Sequence, residues 1–92
     1  MLLELPKSPR FALGTVYVTA GVLNSILLPY VAVGLERYAT GHWGLVDSQT
    51  AKRNNSAGRD KRGVYEDLNR RKFVIRTDAS SLGTVISLPS EQ

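Results

Sequence analysis

Residues 15–19, "TVYVT", alternate, with Val16 and Val18 on one side and Thr15, Tyr17 and Thr19 on the other. β-branched and aromatic residues at period two predict a strand. The period then lengthens. Val22, Leu23, Ile26 and Leu27 recur at the spacing of one helical face, and Thr19 is placed to cap a helix starting near Ala20. Pro29 stops that helix and suits the first turn of a second one. Val31, Leu35 and Tyr38 fall at i, i+4 and i+7, and Gly41 suits the left-handed position that closes a helix. Asp47 or Ser48 then caps a third helix through "SQTAKRNNSAGR", polar on nearly every side, with Ala51 and Ala57 as its apolar contacts.

Beyond a break bracketed by Gly58 and Gly63, the pattern returns to strands. "GVYEDL" (63–68) leads through a tight "NRR" turn into "KFVIRTD" (72–78), where Phe73 and Ile75 face one way and Val74 and Arg76 the other. "ASSLG" turns the chain into "TVISL" (84–88), which ends at Pro89. Three strands with short connections predict an antiparallel meander. The order is β-α-α-α-β-β-β. That predicts an α+β domain over residues 11–92, a small antiparallel sheet with helices on one face, preceded by an irregular arm over residues 1–10.

Charge adds an asymmetry. Residues 52–76 hold nine basic residues against Asp60, Glu66 and Asp67, so this segment carries +6 in a chain of net +4. Such a segment suits an anionic partner such as nucleic acid, a nucleotide or an acidic protein face, or is a solvated surface. No cysteine is present, which excludes disulfides and thiolate-bound metals and fits a reducing, cytoplasmic compartment. The stretch from Phe11 to Leu35 has no charge and is long enough to span a bilayer, with "VTA" at 18–20 resembling a signal-peptidase site. Gly14, Thr19, Gly21, Asn24 and Pro29 interrupt it, however, and a buried strand followed by a buried helix accounts for the same run without a membrane.

The candidate chemistry is sparse. His42 is the sole histidine, and one imidazole with carboxylates falls short of a zinc site. No "GxSxG", "GxxxxGK" or "GxGxxG" occurs. The expectation is therefore a non-enzymatic protein without a cofactor or metal. Trp43, beside a helix end, reads as a core plug or as a stacking group for a ligand, with His42 exposed next to it. Arg70, Arg71 and Lys72 at the turn, Arg76 further along the strand, and the nearby Tyr65 and Phe73 combine cations with aromatics. That combination binds phosphates and stacks bases, or is a charged hairpin tip that blocks edge-to-edge pairing. The candidate binding residues are thus His42, Trp43, Tyr65, Arg70, Arg71, Lys72 and Arg76.

The order "VTAGVL", "LERYATGHWG", "AKRNN", "VYEDL", "FVIRTDASSLGTVISLP" resembles a family of small proteins of plasmids and other mobile elements, catalogued as plasmid-related proteins or as subunits of type I restriction systems. The resemblance covers residues 15–91 and is anchored by Gly41-x-Trp43-Gly44 and by Phe73 to Pro89. In that family a Gly-acid-Trp-Gly motif closes a helix. His42 stands where the family has the acid, and Lys52 and Arg53 lie in a segment that is more acidic there. The resemblance implies a phage or plasmid accessory protein of the bacterial cytoplasm that counters host defence by binding an immune-system protein or a signalling nucleotide. The basic segment offers an alternative, a small nucleic-acid-binding regulator. Open edges of a small sheet also suit a homodimer.

Overall fold

A computed structural model of the protein describes Pro6 and residues 9–56, 60–78 and 83–91. The chain runs β1 (Thr15–Val18), α1 (Ala20–Ser25), α2 (Leu28–Ala39), α3 (Ser48–Asn54), β2 (Lys61–Glu66), β3 (Lys72–Thr77), β4 (Gly83–Ser87) and a short 3-10 turn, Pro89–Glu91. This is the α+β class and the element order that the residue pattern predicts. Most of the N-terminal arm, the continuation of the third helix over 57–59 and the "ASSLG" turn at 79–82 lie outside the described residues.

The sheet order is β1-β4-β3-β2. β2, β3 and β4 form the antiparallel meander, but β1 pairs with β4 in parallel, so the sheet is mixed rather than antiparallel. The reason is topological. The three helices carry the chain from one edge of the sheet to the other, and the meander then walks back until β4 lies beside β1. Two reversals leave β4 pointing as β2 does, and β1 shares that direction.

Register and alternation assign the two faces. Val16, Val18, Ile86, Thr84, Phe73, Ile75, Thr77, Tyr65, Gly63 and Lys61 point toward the helices. There they meet Val22, Ile26, Val31, Leu35, Tyr38 and Ala39 in one core. Each large apolar side chain fully buried here contributes about 1.5–3 kcal/mol. α2 approaches the sheet closely at Gly34, where a Cβ would stand 2.7 Å from the Phe73 ring. The second face carries Thr15, Tyr17, Val85, Arg76, Lys72 and Glu66 in the open. Val74 shares that face yet is buried, apart from the main core.

A directed chain of hydroxyls crosses the interior. Tyr38 Oη donates to Thr77 Oγ1 at 2.8 Å, Thr77 and Thr84 hydroxyls meet at 2.7 Å, and Thr84 Oγ1 donates to Leu13 O at 2.7 Å. It ties α2, β3, β4 and the segment before β1 together, and among the described residues no buried side-chain polar atom lacks a partner. Burial pushes the Tyr38 hydroxyl up to about 12, so it remains a neutral donor at all physiological pH values.

The helix ends follow the sequence signals. Thr19 Oγ1 accepts from Val22 N, and Asp47 Oδ1 accepts from Thr50 N. Gly41 closes α2 with φ of 88°. One part of the pattern resolves differently. Val22 and Ile26 enter the core, whereas Leu23 and Leu27 are exposed. α1 stops at Ser25, so Ile26 and Leu27 sit in extended backbone, where neighbouring side chains point apart instead of sharing a helical face.

Candidate functional site

The Gly41–Gly44 stretch is a clamp on the outer edge of β2. Trp43 is buried between Phe11 and Tyr38, with ring centroids 6.0 and 5.6 Å away, and its Nε1 donates to Asn55 Oδ1 at 3.0 Å. Val64 N donates to Trp43 O at 3.1 Å and Leu45 N to Val64 O at 2.8 Å, so the backbone of 43–45 adds a short parallel bridge to the sheet. Gly44, at φ of 75°, passes so near that a Cβ would collide with Val64 O. Tyr65 is buried as well, and its Oη donates to His42 O at 2.8 Å. Burial raises its hydroxyl pKa, with Arg37 beside the ring opposing that rise. Trp43 and Tyr65 thus face the core, and neither ring offers a surface for stacking. His42 is exposed, its Nδ1 3.2 Å from Thr40 Oγ1.

Next along the same edge, α3 is held by a polar side chain that the residue pattern does not single out. Asn54 is 1% exposed. Its Nδ2 donates to Arg62 O at 2.8 Å and its Oδ1 accepts from Arg62 N at 3.0 Å. The amide therefore completes the β2 edge as a strand residue would. Lys61, also buried, donates from Nζ to the carbonyls of Asn54 and Ser56 at the end of α3 and lies 5.3 Å from the Phe11 ring centroid. A cation at a helix C-terminus is electrostatically favoured. Clamp and anchor together occupy the β2 edge, and Thr15–Val18 forms the other edge of the sheet.

The four cations of the sequence-predicted site separate. Arg70 and Arg71 lie at the β2–β3 turn, whereas Lys72, opposite Glu66, and Arg76 stand on the second face of the sheet. The turn is organised by Asp67, whose Oδ1 accepts from Asn69 N and Arg71 N, both at 2.9 Å, while Arg70 adopts φ of 63°. Arg71 Nη1 reaches across to Ser25 O at 2.8 Å. That bond docks the turn against the α1–α2 junction.

Between turn and junction lies an open cleft of about 390 Å³, lined by Leu23, Leu27, Tyr30, Leu68, Asp67 and Arg71 among others. Its leucines are unusually bare: Leu68 is 81% exposed, Leu27 71% and Leu23 54%. Single exposed leucines are ordinary, but three around one cleft make an exposed apolar patch. Arg71 supplies positive charge at its edge, with the Asp67 carboxylate beside it and Arg70 next in the turn. Leu23 and Leu27 fit a helical face in the sequence and Leu68 fits a strand. Leu27 is turned out because α1 ends at Ser25, and Leu68 because β2 ends at Glu66.

Among the described residues no group of three or more His, Asp or Glu side chains could hold a metal ion, and no helix is long and apolar enough to cross a membrane. No protein-family model, curated protein or solved structure matches the chain.

Proposed function

We propose that this chain is a non-catalytic accessory protein of a phage or plasmid, and that it counters bacterial defence by docking on a host protein. The observation that carries the reading is the leucine-lined cleft at the α1–α2 junction with its arginine edge. Of the two partner classes that the family resemblance implies, a protein suits this surface better than a signalling nucleotide. Leu23, Leu27 and Leu68 give a phosphate neither charge nor hydrogen bond, while they match an apolar protein segment. Arg70 and Arg71 favour acidic residues flanking that segment, through charge complementarity. The mobile-element setting rests on the resemblance of the "GHWG" and "FVIRTDASSLGTVISLP" stretches.

The test is protection. Wild-type protein and Leu68→Asp are expressed in bacteria carrying individual defence systems, and the cells are challenged with phage or plasmid. Wild type restores infection or transformation against at least one system, and Leu68→Asp does not. Failure of wild type against every system contradicts the reading. So does a concentration-dependent dimer that Leu68→Asp dissociates, because the cleft then serves a second copy of the chain.

A further inference from the structure

The second face of the sheet holds a row of side chains in direct register across all four strands: Tyr17, Val85, Arg76 and Arg62. Tyr17 lies at one end, 57% exposed. Its ring leans over Gly83, where a Cβ would stand 2.8 Å from Tyr17 Cε2. The absent side chain is what lets the ring lie against the sheet. One aromatic side is thereby set on backbone, leaving the other for solvent. Val85 is exposed beside it and extends the apolar surface. Arg76 stands two strands from Tyr17, about 10 Å at ordinary strand spacing. Its guanidinium pairs with Asp78 at 3.0 Å, and both side chains are well exposed. An exposed pair of this kind is weak and screened, so a phosphate competes for the arginine.

We infer that this face binds single-stranded nucleic acid, one base stacking on Tyr17 and against Val85 while the backbone phosphate turns to Arg76. The site is separate from the leucine-lined cleft, and the inference does not depend on the docking proposed there. Flat aromatic platforms accept any base, because every base has a π-face, and arginine supplies the sequence-independent electrostatic hold. The chemistry is thus that of a strand binder with little sequence preference. A duplex keeps its bases stacked inside and cannot use the ring.

The experiment is a fluorescence-anisotropy titration of the full chain with labelled single-stranded oligodeoxythymidine and oligouridine at 50 and 200 mM salt. Duplex DNA of the same length and a cyclic dinucleotide serve as comparison ligands. Single strands bind more tightly than duplex, and affinity falls as salt rises. Tyr17→Ala lowers affinity about tenfold, whereas Tyr17→Phe keeps it. Arg76→Ala weakens binding and reduces the salt slope by about one. Thermal melts of each variant identify any loss of folding, and Tyr17→Phe isolates the ring from the hydroxyl. Absence of binding at 50 mM salt overturns the inference, as does unchanged affinity in folded Tyr17→Ala. Equal affinity for duplex reduces the face to nonspecific charge, and tighter binding of the cyclic dinucleotide assigns it to a free nucleotide; either overturns the single-strand assignment.

Discussion

The side-chain amide of Asn54 is paired in both directions with the backbone of Arg62, donating to its carbonyl and accepting from its N–H. One residue of α3 therefore finishes the edge of β2. The same Asn54 contributes its own carbonyl to Lys61 Nζ. Replacing it with alanine leaves a backbone donor and acceptor without those bonds in a buried setting. We predict that Asn54→Ala lowers unfolding free energy by about 2–4 kcal/mol in urea denaturation. Asn54→Asp keeps the acceptor but sets a buried carboxylate oxygen against the Arg62 carbonyl, and destabilises at least as much as alanine. A change below about 0.5 kcal/mol for alanine would show that the edge is held elsewhere.

Gly34 brings α2 against Phe73. A Cβ there meets the ring at 2.7 Å, well inside contact distance. Alanine improves helix propensity by about 1 kcal/mol, but overpacking costs about 1–3. The net expectation for Gly34→Ala is a loss of roughly 0–2 kcal/mol. Phe73→Leu removes the colliding ring edge, so the double variant is more stable than the sum of the two single changes predicts. Strict additivity in a double-mutant cycle would contradict the close approach.

His42 and Trp43 are adjacent and opposite in role. Trp43→Ala opens the centre of the Phe11–Tyr38 aromatic cluster and costs about 3–5 kcal/mol. His42→Asp, which installs the acid that the resembled family carries, changes stability by less than about 0.5 kcal/mol, because the imidazole is exposed. Trp43 is the sole tryptophan, so its emission reports the site directly: blue-shifted when folded and red-shifted on unfolding.

Acid weakens the fold through two carboxylates. Side-chain and backbone hydrogen bonds from Thr50 hold Asp47 below its ordinary 3.8. Glu91 lies below its ordinary 4.5, because Leu88 N donates to it and Thr19 Oγ1 donates as well. Folded values below unfolded ones mean that this stabilisation is complete above the unfolded values. It is lost as pH falls through the folded ones, so the melting temperature declines as pH drops from about 5 toward 3. Asp47→Asn keeps a competent cap, and with Glu91→Gln it removes this part of the slope. Equal slopes for wild type and the double variant between pH 6 and 3 would contradict the assignment.

Local signals carried much of this architecture. Thr19, Asp47 and Gly41 mark helix ends through their own backbone chemistry, so residue identity alone places them. The period-two stretches around Val16, Ile75 and Ile86 likewise reveal which side faces inward. Long-range pairing was less legible. The parallel alignment of β1 with β4 depends on where the meander returns, which no local pattern encodes. Asn54 looked like one more polar residue on a thinly packed helix, since its value lies in a partner eight positions away. The cleft is not legible because Leu23 and Leu27 satisfy one helical period, whereas α1 ends at Ser25, between them, and both side chains stay exposed. Arg70, Arg71, Lys72 and Arg76 read as one basic cluster, whereas strand alternation divides them between the turn and the second sheet face.

The most direct test of the proposed function compares phage plating on cells with an active defence system that wild-type protein blocks. Leu68→Asp and Tyr17→Ala are expressed at matched levels, and their folding is checked by thermal melts. Docking through the leucine-lined cleft predicts that Leu68→Asp loses about tenfold or more of the plating that wild type restores, while Tyr17→Ala retains it. A folded Leu68→Asp protein that protects phage as well as wild type would contradict it.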